Sequence, residues 1–398
     1  MIDDAKPRAR FAAMLPCMAL AVTALLCGPV ADAAEAADPI YRVERLVDGF
    51  EHPWGMAFLP GQGRMLITER PGRLTLVAYE TGTVREVAGV PPVDARGQGG
   101  LLDVALHPDF GAEPWVYLTW AGNDDAGLTA TYVGRGRLDD EALELADFEV
   151  LFVAEPHVDS TAHYGSRIVF DADGRLYVTV GDRQFKNFGP EHHSQDRTTY
   201  IGTTLRLEAD GSIPPDNPFV DDPDALDGIF SFGHRNSQGM AVHPETGEIW
   251  QNEHGEQNGD EVNVIQAGGN YGWPIATYGR RYGTGFKFAP TPPERPDTIQ
   301  PVFYWDHTHP EGFPPSGFAF YFGDAFPEWR GNALMGNLAH RYLGRFTVDG
   351  HDVAFAERLL DGRGWRIRDV AVGPEDGFVY VLIDAADAPL IRLVPADR

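Results

Sequence analysis

The chain has 398 residues, 43% of them apolar and 23% charged, a balance that excludes a disordered polymer and leaves room for one large domain with a real core. Its 32 basic against 59 acidic side chains give a net charge of −27, which repels phosphate backbones and excludes a nucleic-acid partner. The 45 glycines and 31 prolines, about a fifth of the chain, favour a turn-dense β fold over a helical bundle.

Residues 1–33 read as an address. Lys6, Arg8 and Arg10 precede an apolar run from Phe11 to Val30, and Ala31-Asp32-Ala33 is a small-x-small cleavage pattern. A secretory signal peptide cut near Ala33 is expected, with an uncleaved membrane anchor as the alternative. Both cysteines, Cys17 and Cys27, fall inside this segment, so the mature chain has no thiol for disulfides, thiolate metal sites or nucleophilic catalysis. A soluble periplasmic or secreted protein is the expectation.

From residue 38 onward one phrase recurs: an apolar strand, a Pro/Asp/Gly turn, and a second apolar strand. It occurs at 54–68, 102–119, 166–180, 239–252, 317–336 and 368–384. Six copies at this spacing predict an all-β, six-bladed β-propeller of four-stranded antiparallel blades filling 38–398 as a single domain. A pair of β-sandwiches is the alternative that strand counting alone does not separate. The Gly/Pro-rich insertions 184–232 and 276–316 lack a period and are expected to be loops roofing the central mouth.

Three constellations along the repeats carry possible chemistry. In the third copy, a turn symmetric about Ala172/Asp173 makes paired positions sum to 345, which sets His163 opposite Asp182. A carboxylate beside an imidazole fixes its tautomer, as a general base requires, and a purely structural hydrogen bond is the other reading. Next, G-H-R-N-S-Q-G (233–239) packs Arg235, Asn236 and Gln238 at a strand entrance, and W-R-I-R-D (365–369) puts Arg366 and Arg368 on one strand face. Cations converging on one mouth of an acidic protein suit a polycarboxylate ligand; ordinary ion pairing with surface acids is the other reading. Finally, E-H-G-E-Q-N-G-D-E-V-N (253–263) and G-G-N-Y-G-W-P (268–274) offer oxygen ligands to a hard cation such as calcium, or form a solvated acidic turn.

Taken in order, H-P-W-G-M-A-F-L-P (52–60), G-Q-G-G-L-L-D-V-A-L-H-P-D-F (97–110), H-Y-G-S-R-I-V-F (163–170), G-H-R-N-S-Q-G (233–239), E-H-G-E-Q-N-G-D-E-V-N (253–263), N-Y-G-W-P (270–274) and R-I-R-D-V-A-V-G-P (366–374) resemble the soluble pyrroloquinoline-quinone (PQQ)-dependent sugar dehydrogenases, especially the aldose sugar dehydrogenase branch. The resemblance covers nearly all of 43–395. It implies a six-bladed propeller that oxidises aldoses at the anomeric carbon to lactones by hydride transfer to the quinone. It further implies His163 as the base, Asp182 as its partner, and Arg235 stabilising charge on the quinone. Gln98, Arg235, Asn236, Arg366 and Arg368 would surround PQQ. One calcium would take backbone oxygens of Gly255 and Glu256, and a second would be served by Glu261 and Tyr271. Electrons would leave to a soluble or membrane acceptor.

The chain departs from that family in two places. Where members commonly carry a lysine in a G-x-L-K segment, this chain reads G-N-L-A-H-R (336–341), with Ala339 in the lysine's place and His340 and Arg341 beside it. Ala162 precedes His163 where some glucose-oxidising members have an acid, which argues against assuming glucose. Two other function classes fit the propeller: a calcium-dependent lactonase, disfavoured because a neutral lactone needs no arginine cluster, and a secreted non-catalytic module that binds a glycan or a protein.

Overall fold

A computed structural model of the chain describes residues 40–309 and 311–396. The signal segment expected at 1–33 lies outside these residues. The described chain forms six four-stranded antiparallel sheets, with helix confined to the short 3-10 turns His193–Gln195, Pro292–Glu294 and Pro327–Trp329. Each sheet is one blade: 53–87, 101–158, 168–232, 237–305, 315–359, and 367–395 completed by 41–50. Every recurring phrase in the sequence is the first two strands of a blade, an apolar hairpin whose inner strand faces the axis. The all-β, six-bladed propeller expected from the repeat is the observed fold.

The last blade closes the ring. Strand Tyr41–Phe50 runs antiparallel to Ala388–Pro395, so the beginning and end of the described chain share one sheet and no blade is left with an open seam. Apolar side chains fill the gaps between blades. One cluster joins Met65, Ile67 and Val77 of the first blade to Tyr321 and Leu334 of the fifth and Val381 and Leu390 of the sixth, all buried.

The two insertions are more ordered than their composition suggests. Segment 184–232 contains the strands Thr203–Leu207 and Ile229–Phe232, and 276–316 contains Phe303–Trp305, so each supplies outer strands of its blade as well as loop. Their alternation was hidden by the surrounding glycines and prolines.

One device repeats in all six blades. Where the inner strand enters, its pairing with the second strand slips by one residue: between Pro53 and Met56, Leu101 and Val104, Ser237 and Gly239, Pro315 and Phe318, and Ile367 and Asp369. In the third blade Ser166 N–H donates to the Thr179 carbonyl at 2.6 Å, while Thr179 N–H donates to the Arg167 carbonyl at 3.0 Å. Two residues therefore face one, which is a β-bulge, and it re-aims the side chains that precede it.

Candidate active site

The bulge decides the meeting of His163 and Asp182. The regular ladder pairs Ile168 with Val178 and Phe170 with Leu176, one residue out of the register needed to set them opposite each other. The slip at Ser166/Arg167 removes that residue, and His163 Nδ1 lies 2.6 Å from Asp182 Oδ1. The expected pair meets, although the turn is centred one half-step from where sequence symmetry put it. Asp182 is wholly enclosed. Its Oδ1 also accepts from the Gln184 N–H at 2.8 Å, and its Oδ2 from the Trp273 indole N–H at 2.8 Å. Burial opposes its ionisation, but His163 and Arg235 outweigh burial and hold the carboxyl down at about 2. Burial lowers the His163 pKa, and Asp182 opposes that shift. The imidazole is thus neutral at pH 7, with its Nδ1 hydrogen directed at the carboxylate and Nε2 left as the basic nitrogen.

The His163 backbone sits in the left-handed region at φ 49°, and its N–H donates to Gln98 Oε1 at 2.9 Å. Asn236 Oδ1 accepts from the Gly165 N–H at 3.2 Å, and Asp182 N–H donates to the Arg235 carbonyl at 2.6 Å. Gln98, Asn236 and Arg235, all marked by sequence, therefore hold the His163–Asp182 segment as well as facing the mouth.

Two connected cavities open there. His163, Gln184, Arg235, Gly255, Glu256 and Glu311 are among the walls of one, about 500 Å³ in volume. Gln98, Asn236, Gln238, Arg70, Arg366 and Arg368 are among the walls of the other, about 340 Å³. His254, Tyr282, Pro314 and Ala339 line both, so the two are halves of one mouth. Burial pushes His254 down to about 3, and its neutral ring donates from Nε2 to the Pro315 carbonyl at 2.6 Å. Next to Ala339, which stands at the lysine's place, His340 lines the larger half, whereas Arg341 lines neither.

Arg366 and Arg368 do converge, through a carboxylate that sequence reading missed. Both guanidiniums bond Asp384 Oδ2 at 3.1 Å, and His52 Nδ1 holds the other oxygen at 2.8 Å. Burial of Asp384 is outweighed by Arg368, His52 and Arg366, which keep the carboxyl well below its usual range. Arg368 also donates to Gln238 Oε1 at 2.8 Å, yet its Nε is buried without a partner. Arg235 resembles it: Nη2 pairs with Glu256 Oε2 at 2.7 Å, and Nε is buried and unpartnered. Lys186 caps the same Glu256 carboxylate at 3.0 Å. Three guanidiniums against one carboxylate in the smaller half, those of Arg70, Arg366 and Arg368 against Asp384, fit a polycarboxylate such as PQQ.

The cation positions expected from the resemblance would rest on oxygen atoms of a different kind. Among the described residues no group of three or more ligating side chains converges. Gly255 and Glu256 are both buried, and neither carbonyl oxygen accepts a hydrogen bond from another described residue. The Glu256 side chain is committed to Arg235 and Lys186, so only its carbonyl is free for a cation. Glu261 and Glu253 line a void of about 10 Å³ with Tyr271, Gly259 and Thr277. Burial, reinforced by the Glu253 carboxylate, pushes Glu261 well above the usual carboxylate range. The Tyr271 hydroxyl is saturated, donating to Val264 O at 2.7 Å and accepting from Gln266 N–H at 2.8 Å, which leaves its carbonyl as the available ligand. Oxygen donors of this kind are the ones a hard cation such as calcium takes.

Asp384 and Lys186 have no sequence signal of their own, and the motifs that contain His52, Trp273 and Glu256 do not show which groups those side chains meet. Each is recognisable only by the distant partner it meets.

Comparison with known proteins gives the family. The Glucose / Sorbosone dehydrogenase family model matches residues 50–392. The chain is 41% identical over 372 residues to the aldose sugar dehydrogenase YliI of Escherichia coli, covering 93% of this chain and 97% of the relative. The crystal structure of the soluble Escherichia coli aldose sugar dehydrogenase in its apo form superposes with a TM-score of 0.83 at 40% identity, over 89% of this chain and 100% of that one. The PQQ-bound aldose sugar dehydrogenase of Streptomyces coelicolor superposes with a TM-score of 0.71 at 29% identity, over 90% and 99%. The chain belongs to the glucose/sorbosone dehydrogenase family and is an oxidoreductase of the aldose sugar dehydrogenase kind.

Proposed function

We propose that the protein is a PQQ- and calcium-dependent dehydrogenase that oxidises aldoses at the anomeric carbon to lactones. The observation that carries the reading is the His163–Asp182 pair opening onto a cavity that shares four wall residues with the arginine-lined half. Gln98, Arg235, Asn236, Arg366 and Arg368 would hold the quinone; the carbonyl oxygens of Gly255 and Glu256 would hold calcium beside it, and Glu261 with the Tyr271 carbonyl would serve a second ion. When bound, the quinone supplies a hydride acceptor and the cation a Lewis acid. His163 takes the anomeric hydroxyl proton on Nε2, and Asp182 supports the resulting imidazolium while fixing its ring. Arg235, on the same cavity wall as His163, would offer positive charge to a bound quinone. The basic leader and cleavage pattern support export to the periplasm, with electrons passing to a soluble or membrane acceptor there.

A titration tests the reading. Apo-protein given calcium and PQQ gains the visible absorbance of the quinone, and adding an aldose bleaches or shifts it. A protein that binds no quinone, or whose bound quinone ignores every aldose, refutes the proposal.

A further inference from the structure

Arg70 stands at the end of strand Arg64–Glu69 and lines the smaller half of the mouth with Arg366 and Arg368. Its guanidinium has two differently occupied edges. Nε donates to the Gly99 carbonyl at 2.9 Å, and Nη2 donates to the Gly97 carbonyl. The remaining nitrogen, Nη1, bonds no described residue, and no described carboxylate lies within ion-pair distance of Arg70. The nearby acid, Asp384, is already shared by Arg366, Arg368 and His52.

The occupied edge clasps the segment that presents Gln98, whose Oε1 receives the His163 N–H. The fit is close: Gly100 has φ 126°, and a Cβ there would lie 2.1 Å from the Arg70 carbonyl oxygen. Leu101 N–H donates to that same oxygen at 3.1 Å. The 97–100 turn is therefore moulded on Arg70 from both its main chain and its side chain. Nη1 keeps no partner among the described residues, and the side chain belongs to a cavity wall with more guanidiniums than carboxylates and with no lysine.

We propose that Arg70 is an additional anchor for a carboxylate of the quinone, and that its clasped edge ties the filled cavity to the turn that positions His163. This rests on the PQQ reading above. A guanidinium held by two carbonyls points its third nitrogen with little further loss of side-chain entropy, which suits a charge-assisted bond to a carboxylate. Through Gln98, the same side chain then acts on His163 as a positioning residue.

The test is quinone binding to calcium-loaded apo-protein, followed by calorimetry for wild type, Arg70→Lys and Arg70→Gln. The neutral trimethyl ester of the quinone serves as a second probe. Arg70→Gln is expected to weaken PQQ about tenfold or more, the worth of a lost charge-assisted bond. Arg70→Lys, which keeps the charge but cannot clasp both carbonyls, is expected to stay within about threefold of wild type in affinity. It should nevertheless lower turnover per bound quinone, because the Gln98 turn is loosened. The ester should bind wild type and both variants alike. Unchanged PQQ affinity in Arg70→Gln overturns the anchor. Equal weakening of PQQ and ester in both variants also overturns it, since that is the pattern of a brace alone. If Arg70→Gln does not fold, Arg70→Met, which also removes the charge, takes its place under the same criteria. Failure of wild type to bind PQQ is a separate result, which removes the enzyme reading first.

Discussion

His163 Nδ1 and Asp182 Oδ1 lie 2.6 Å apart, and the Asp182 oxygen that faces away from the histidine accepts the Trp273 indole N–H at 2.8 Å. The acid is thus held from both sides before it holds the imidazole. Replacing His163 with Ala is expected to leave fold and quinone affinity nearly intact, because proton acceptance matters only during turnover. The turnover number should fall about 100- to 10,000-fold, the usual worth of a positioned base. Rate per bound quinone is the deciding measurement; normal turnover by the bound fraction would assign His163 a structural role.

The pH profile follows from the burial of His163. Burial lowers its pKa while Asp182 opposes the shift, so the net position lies below the ordinary histidine value of about 6.5. The neutral ring is the base, so activity should be full above that pKa and fall as pH drops through it. The limb should disappear in His163→Ala. An acid limb that survives the substitution belongs to another group.

Asp182→Asn keeps the shape but removes the charge that supports an imidazolium, and should cut turnover strongly with little change in sugar KM. Trp273→Phe removes only one bond to the carboxylate and should cost about tenfold in turnover, in line with about 1.5 kcal/mol for a charged hydrogen bond. If Trp273→Phe equals Asp182→Asn in effect, the indole does more than orient the acid.

The arginines and their shared acid should behave oppositely. Arg366→Ala or Arg368→Ala is expected to weaken PQQ binding by roughly 1.5–3 kcal/mol. Asp384→Asn leaves the guanidiniums without their internal partner, so apo-protein should melt lower while PQQ binds as tightly as before or tighter. Calorimetric titration beside a melting curve separates the two effects. Weaker PQQ binding in Asp384→Asn would mean that the acid orients the arginines more than it competes for them.

Calcium should raise the melting temperature and chelation should lower both stability and activity, since a cation that binds only the folded state stabilises it by linkage. Glu261 and Glu253 crowd one small void, so Glu261→Gln relieves charge repulsion there. The apo variant should melt no lower than apo wild type, and its calcium-induced shift should shrink. A full calcium response in Glu261→Gln would place the stabilising ion elsewhere.

Much of this molecule is written locally. A blade hairpin is two apolar strands joined by a short Pro/Asp/Gly turn, and strand alternation and turn chemistry act over a few residues, so six copies announce six blades. The family motifs are equally local, which is why His163, Arg235, Asn236, Gln98, Arg366, Arg368 and the 253–263 loop could be marked before any coordinates. Position across blades is different. The bulge at Ser166/Arg167, invisible in composition, sets the register that joins His163 to Asp182. Trp273 reaches Asp182 across 91 positions of chain, and Asn236 supports Gly165 across 71. Asp384, gathering Arg366, Arg368 and His52, and Arg70, clasping the Gln98 turn, are ordinary acidic and basic residues until ring closure brings the blade entrances together. Short-range hydrogen bonding and side-chain alternation are properties of neighbouring residues, so sequence determines the blades; which charges share a cavity depends on ring geometry, and only the tertiary structure decides that.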